Sequence, residues 1–148
     1  MIYLISLIVF LLDFGTKFWM MKALELHSPL PVFPCFNLYL TLNRGVSFSM
    51  FSANSAFGVW ALIGLTGGIS ALIIYLIQKE TEKIARIGYA LVLGGAVGNL
   101  LDRLRFGAVV DFLDFYLWQY HWPAFNVADS AICIGAALIL YQYVRSKK

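Results

Sequence analysis

Four long apolar stretches constrain the fold of this chain more than any other feature of its sequence. A transmembrane helix needs about 20 predominantly apolar residues to cross the hydrocarbon core of a bilayer. Each stretch is close to that length and holds at most two charged residues, and together they cover residues 2–21, 57–77, 84–101 and 123–144. We therefore predict a single integral membrane domain, residues 1–148, with four membrane-spanning helices.

The overall composition agrees with a membrane protein. Hydrophobic residues make up 61% of the 148 residues and charged residues 13%, whereas soluble domains have about 45–50% and about 25%. This composition excludes a disordered chain, a coiled coil and a nucleic-acid-binding module. Cys35 and Cys133 lie far apart in apolar surroundings and predict neither a disulfide framework nor a metal cluster. The first stretch has no basic n-region and no small-residue cleavage site, so we interpret it as a permanent span.

Basic residues in the connections predict the orientation of the helices. Lys79 and Lys83 lie in the short loop of residues 78–83, and three more basic residues occupy the tail of residues 145–148. The positive-inside rule places such segments in the cytoplasm. We therefore expect both termini in the cytoplasm and residues 22–56 and 102–122 on the outer side of the membrane.

The two external segments differ from ordinary loops. Residues 37–51 alternate apolar and polar side chains around the turn-like Asn43-Arg44-Gly45, which predicts a β-hairpin. Residues 104–122 contain seven aromatic side chains, a density typical of the membrane–water interface. The predicted class is thus an all-α bundle of four transmembrane helices with a small extracytoplasmic β platform at the membrane surface.

Polar residues of three predicted helices converge at one depth. At 1.5 Å per residue, Asp13 lies about 18 Å from the start of the first helix, and Asn99 and Asp129 each lie about 22 Å from the cytoplasmic ends of theirs. Isolated charges inside a membrane cost several kcal/mol, so they are expected to face a shared polar cavity. We therefore predict one polar site near the outer leaflet.

The residues available for this site limit its chemistry. The sequence has no HExxH and no GxSxG motif, and its two histidines, His27 and His121, lie in interfacial segments. Zinc catalysis and a Ser-His triad therefore lack their parts, and we predict no metal and no cofactor. Two carboxylates held close in a cavity share one proton. One can activate a water while the other polarises a carbonyl, which is peptide hydrolysis by an aspartyl dyad. The candidates are Asp13, Lys17, Asn43, Asn99, Asp102, Arg103, Asp111, Asp114, Asn126 and Asp129.

Five motifs in order along the chain resemble the motif set of the lipoprotein signal peptidase (type II signal peptidase) family. They are DFGTK at 13–17, NRGVSF at 43–48, GGAVGNLLDR at 94–103, VVDF at 109–112 and FNVADS at 125–130. The resemblance implies an aspartyl protease of the bacterial cytoplasmic (inner) membrane. Its implied substrates are prolipoproteins, cleaved on the N-terminal side of a cysteine already modified with diacylglycerol. We further expect contacts with membrane lipids, no nucleic-acid partner and a monomer.

Each motif residue carries an implied role. Asp111 and Asp129 match the catalytic pair. Substrate-contacting or dyad-supporting positions are matched by Asn43, Gly45, Asn99, Arg103, Asn126 and Ala128. Asp13 and Lys17 match a supporting ion pair one helical turn apart. We interpret Asp102 as a supporting residue that orients the site or caps the end of its helix.

Several alternatives stay open from the residues alone. Asp111-x-x-Asp114 resembles half of a Mg²⁺-binding motif, so a metal-dependent membrane lipid transferase is the main rival, although a second acidic cluster is lacking. A proton or ion carrier is disfavoured because the polar residues are confined to one leaflet. Asp129 could instead be paired with Arg103.

Other residues have structural interpretations. Asp111 and Asp114 would face opposite sides of a strand, so we expect a hydrogen-bonded or solvated role for Asp114. We interpret His121 as an interfacial anchor rather than a base. The small-residue pairs Gly64/Gly68 and Gly94/Gly98 predict helix-packing contacts.

Overall fold

A computed structural model of the chain describes residues 1–45 and 56–147. Each of its four α-helices is long and apolar enough to cross a membrane. The helices are α1 (Ile2–Ala23), α2 (Ala56–Lys79), α3 (Lys83–Phe106) and α4 (Val127–Arg145). The predicted class, four membrane helices with a small β-sheet, is confirmed.

Helix α3 lies at the centre of the bundle and packs against the other three helices. Small residues allow this close approach: a Cβ atom at Gly88 would lie 2.7 Å from the backbone oxygen of Gly135, and one at Gly94 would lie 2.6 Å from that of Ser6. The predicted packing role of Gly94/Gly98 is therefore confirmed. The same prediction for Gly64/Gly68 is wrong for the described residues, since a Cβ at either position would meet no atom of residues 1–45 or 56–147 within 4 Å.

Four antiparallel strands form a sheet in the order β1-β2-β3-β4. They are β1 (Pro29–Phe33), β2 (Phe36–Asn43), β3 (Val109–Leu117) and β4 (Tyr120–His121). The predicted strand before Asn43 is present as β2, but its described partners are β1 and β3. The second arm of the predicted hairpin, residues 46–51, lies outside the described residues.

A bulge in β2 sets which side chains reach the site. Leu38 pairs with Leu113 and Thr41 pairs with Asp111, so β2 has one more residue than β3 between these pairs. An extra residue reverses the side-chain alternation. This is why the strict two-residue alternation read from the sequence fails here: Asn37 and Leu40, three positions apart, are both buried.

The sheet and three helix ends meet at the same end of the bundle. Helix α3 continues through Asp102 to Phe106 and ends at Gly107, whose left-handed backbone (φ 67°) an L side chain would strain. The chain then enters β3 directly. Trp118, Tyr120 and Trp122 are exposed beyond it, as expected of aromatic residues at a membrane interface.

Candidate active site

A buried lysine organises the polar cluster at this end of the bundle. Lys17 of α1 is 3% exposed, and its Nζ lies 2.7 Å from Oδ2 of Asp13, 2.8 Å from Oδ2 of Asp102 and 3.0 Å from Oδ1 of Asn99. A lysine ammonium has three N–H donors, and three acceptors surround this one. The predicted Asp13–Lys17 ion pair is present, and it also includes Asp102 of α3.

The two acids of this ion cluster also hold backbone groups of neighbouring elements. Asp13 accepts a hydrogen bond from the backbone N–H of Ala128 in α4 (2.8 Å), and Asp102 accepts one from Val110 in β3 (3.1 Å). Gly98 makes room for Asp13, because a Cβ there would lie 2.5 Å from Oδ2. The ion cluster therefore ties α1, α3, α4 and β3 together.

Two asparagines connect the ion cluster to a pair of aspartates. Asn99 of α3 donates to Oδ1 of Asp129 (2.8 Å). Asn126 donates through Nδ2 to Oδ1 of Asp111 (2.7 Å) and through its backbone N–H to Oδ2 of Asp129 (3.2 Å). Asn126 therefore contacts both carboxyl groups.

The position of Asn126 follows from the start of helix α4. Its side-chain oxygen accepts the backbone N–H of Asp129 (2.8 Å), while the Asp129 carboxylate accepts the backbone N–H of Asn126, which makes a capping box. The segment before it is held on β3, since Phe125 exchanges backbone hydrogen bonds with Leu113 (3.1 and 2.9 Å). Asp129 is thus brought to the strand that carries Asp111.

Asp111 has an environment that favours its protonated form. The Asp111 residue is 1% exposed. Its carboxyl group accepts a hydrogen bond from Asn43 Nδ2 (3.0 Å) as well as one from Asn126. Burial raises the pKa of Asp111 from 3.8 to about 6, and the charge of Asp129 adds to this rise. The hydrogen bonds from Asn43 and Asn126 and the charge of Lys17 lower the pKa, but less than burial raises it.

The remaining predicted site residues surround the aspartate pair. Asn43 is oriented by a tight turn in which the backbone N–H of Gly45 donates to its Oδ1 (2.9 Å). Arg103 is half-buried and acts electrostatically with Asp129 and Asp111, yet it forms no ion pair within 4.0 Å of Asp129 in the described part of the chain. The alternative that Asp129 is held by Arg103 is therefore not what the structure shows.

Asp114 belongs to a second polar cluster, on the other side of β3. It is buried and accepts hydrogen bonds from Asn37 Nδ2 (2.9 Å) and from His121 Nδ1 (2.8 Å). Because of the β2 bulge, Asn37 and Asn43 reach acids on opposite faces of β3. The expectation of a hydrogen-bonded Asp114 is confirmed. The sequence pattern did not single out its partner Asn37, which is one of several polar residues in β2.

The described side chains offer no evident metal site. In residues 1–45 and 56–147, no three His, Cys, Asp or Glu side chains are arranged to hold a metal ion. The polar groups brought together here are carboxyl and carboxamide groups, the ammonium group of Lys17 and the guanidinium group of Arg103. Such a set can hold a proton and a water next to a carbonyl group.

Fold and site together define a multi-pass membrane protein with a buried acid–amide site at one end of its helices. The family model described as Signal peptidase (SPase) II matches residues 5–145. The chain belongs to the signal peptidase II family, and it is therefore a peptidase.

Individual relatives and solved structures agree with this assignment. The chain is 41% identical over 140 residues to a lipoprotein signal peptidase of Yersinia enterocolitica and 42% identical to one of Yersinia pestis, covering 93% of this chain and 83% of each relative. Two solved structures, described as a bacterial membrane enzyme determined by the in meso method at 2.3 and 1.9 Å, superpose with TM-scores of 0.86 and 0.85. Both are 27% identical to this chain in sequence. The first superposition covers 98% of this chain and 88% of the solved one, and the second covers 95% and 90%.

Proposed function

We propose that this signal peptidase hydrolyses its substrate with an aspartyl dyad formed by Asp111 and Asp129. As a member of its family, the protein removes the signal peptide from prolipoproteins. The observation that carries the dyad is the double contact of Asn126, which donates to both carboxyl groups and so holds them at one place. A buried acid held beside a partly buried one is an arrangement that acid–base catalysis can use.

The chemistry follows from the proton that the pair shares. Asp111, with its pKa raised to about 6, carries this proton and donates a hydrogen bond to the oxygen of the scissile carbonyl. Ionised Asp129 accepts a proton from a water molecule, and the resulting hydroxide forms a bond to the carbonyl carbon. The tetrahedral intermediate then breaks its C–N bond, and the leaving nitrogen takes up the proton held by Asp129.

The surrounding residues have separate tasks in this proposal. Asn99 and Asn126 orient the dyad, because their side chains are already engaged with it. Asn43, Gly45 and Arg103 line the place where the peptide binds, and the fully buried Ala128 supports the site through its hydrogen bond to Asp13. Asp13, Lys17 and Asp102 hold the helices in register.

The substrate enters from the membrane in this proposal. Its diacylglyceryl-modified cysteine keeps its acyl chains among the membrane lipids, while the peptide bond before that cysteine enters the polar site. The basic residues at the other end of the helices, Lys79 and Lys83 among them, support an orientation with both termini in the cytoplasm. The site then lies near the outer leaflet of the bacterial cytoplasmic membrane. The chain acts as a monomer and a single domain in this proposal.

The test is cleavage of a diacylglyceryl-modified prolipoprotein by purified Asp111→Asn and Asp129→Asn variants. Acid–base groups contribute about 10²–10⁴-fold to rates, so each variant is expected to lose at least about 100-fold in kcat. Asp114→Asn is the matched control, since it changes a buried, hydrogen-bonded acid of the same strand outside the site. It should keep most of its activity.

Two further arms address the alternative chemistry and the substrate. Addition of a chelator should leave the rate unchanged, whereas a metal-dependent lipid transferase would be inhibited. The unmodified precursor should be cleaved poorly beside the modified one. Full activity of either dyad variant would remove the basis of the assignment.

A further inference from the structure

A cavity lies at the end of the bundle opposite the sheet and the aspartates. It has a volume of about 520 Å³ and is lined by Met1, Ile2, Tyr3, Thr81, Lys83 and Arg86. Pockets of about 300–1,000 Å³ are the usual size for small-ligand sites. The lining joins the start of α1 to the loop before α3 and the first turn of α3.

The charges in this cavity are positive and lack partners. Lys83 and Arg86 form no ion pair in the described part of the chain, and the Nε atom of Arg86 is buried without a hydrogen-bond partner. The two neighbouring acids are occupied elsewhere. Glu80 accepts the backbone N–H groups of Thr81 and Glu82 (2.8 and 2.9 Å), and Glu82 accepts a hydrogen bond from Gln142 (3.2 Å). A buried donor without a partner is costly, so an anion bound in the cavity would be stabilised by Arg86 and Lys83.

The helix that carries these residues adds to the same requirement. Lys83 and Arg86 lie in the first turn of α3, where the helix dipole is positive and basic side chains are unfavourable. The N-cap residue Glu82 makes no side-chain hydrogen bond to this turn, and the turn contains no acid. An anion in the cavity would compensate both side-chain charges and the positive helix end.

We propose that this cavity binds the phosphate group of an anionic phospholipid. The cavity lies at the ends of membrane helices, and Ile2 and Tyr3 give it an apolar wall on the α1 side. Basic pockets between transmembrane helices are a known mode of binding for such headgroups. Arg86 offers the phosphate a forked guanidinium and Lys83 a point charge. The lipid thereby joins the start of α1 to the start of α3, far from the aspartates.

The test is retention of lipid by the full-length protein, measured by native mass spectrometry after release from detergent micelles. The probes are phosphatidylglycerol, phosphatidylcholine and inorganic phosphate at equal concentration. The variants are Arg86→Gln, Arg86→Lys and Lys83→Gln. The matched control is Lys79→Gln, which removes a basic residue at the same end of the bundle that does not line the cavity.

We expect the parent protein to retain phosphatidylglycerol well above phosphatidylcholine and not to retain inorganic phosphate. A charged hydrogen bond is worth about 1.5–3 kcal/mol, so Arg86→Gln should weaken binding by about tenfold or more. Lys83→Gln should weaken it less, and Arg86→Lys should fall between Arg86→Gln and the parent, because the charge remains but the fork is lost.

Three results would overturn the proposal. They are equal retention of the two lipids, an equal effect of Arg86→Gln and Lys79→Gln, and displacement of the lipid by inorganic phosphate at the same concentration. Arg86→Lys keeps the test decisive if Arg86→Gln fails to fold.

Discussion

Replacement of Lys17 by methionine tests the ion cluster directly. The substitution keeps most of the side-chain volume but removes the ammonium group that lies 2.7 to 3.0 Å from Asp13, Asp102 and Asn99. Both carboxylates then lose their counter-charge while they stay buried. Removal of one partner from a buried ion pair costs about 3–5 kcal/mol. Because two acids share this lysine, we expect a loss near the upper end of that range.

The free energy of unfolding can be measured by titration with a denaturing detergent in mixed micelles. Lys22→Met is the matched control on the same helix, since Lys22 is exposed and its Nζ lies 4.2 Å from the ring centre of Phe18. An exposed cation–π contact is worth about 0.5–1 kcal/mol. Lys17→Met should therefore lose several times more stability than Lys22→Met.

A double variant separates charge from packing. If the cost comes from uncompensated acids, then Asp102→Asn should recover part of the stability lost in Lys17→Met, although it destabilises the parent on its own. A Lys17→Met variant within about 1 kcal/mol of the parent would be far below the cost of a broken buried ion pair and would refute the reasoning. So would a pair of substitutions whose effects simply add.

Three further predictions concern separate parts of the molecule. Gly98→Ala should lower the free energy of unfolding by about 1–3 kcal/mol, the cost of overpacking a tight contact, because its Cβ would lie 2.5 Å from a buried carboxylate. Gly64→Ala is the control and should be neutral. Equal effects of the two substitutions in a detergent titration would contradict this. The pKa of Asp111 is about 6 in the folded protein and 3.8 in the unfolded chain. The free energy of unfolding should therefore fall as the pH rises from about 4 to above 6. Relative to an Asp111→Asn variant, the fall is about 2 kcal/mol from pH 4 to 8, and parallel curves would argue against a raised pKa. His121→Ala should cost about 1 kcal/mol or more, because the buried Asp114 loses a hydrogen-bond donor. His27→Ala should cost less, because the contact of His27 with Tyr39 is exposed and 3.4 Å long. Thermal melting of both variants tests this difference.

The interior acids show how far sequence reasoning reaches. Asp13 and Asp129 could be assigned to one polar site, together with Asn99, because an acid inside a membrane is too costly to stand alone. The separation of Asp111 from Asp114 also followed from strand geometry, since side chains three positions apart face opposite sides. Catalytic roles came only from the motif resemblance, and they remain proposals for the experiments above.

The β-sheet shows where such reasoning stops. Alternation in residues 37–43 predicted strand β2, but nothing local predicted β1 as its neighbour or the bulge between Leu38 and Thr41. Strand register depends on which segment pairs with which, and the segment around Asp111 lies far along the chain. Because the sequence does not reveal the bulge, it could not show that Asn37 and Asn43 contact acids on opposite faces of β3.

By itself, the sequence determined the membrane class, the four helices and the identity of the acids. These properties are local, because a run of about 20 apolar residues or a buried charge has the same cost wherever its neighbours lie. Only the tertiary structure decided that Lys17 meets Asn99, 82 positions away, and that Asn126 contacts both aspartates. It also decided that Gly98 is packed against Asp13, whereas a Cβ at Gly64 would contact none of the residues that the structure describes. These contacts depend on the rotation of each helix about its axis, which is set by packing against other helices rather than by the residues next to it in the chain.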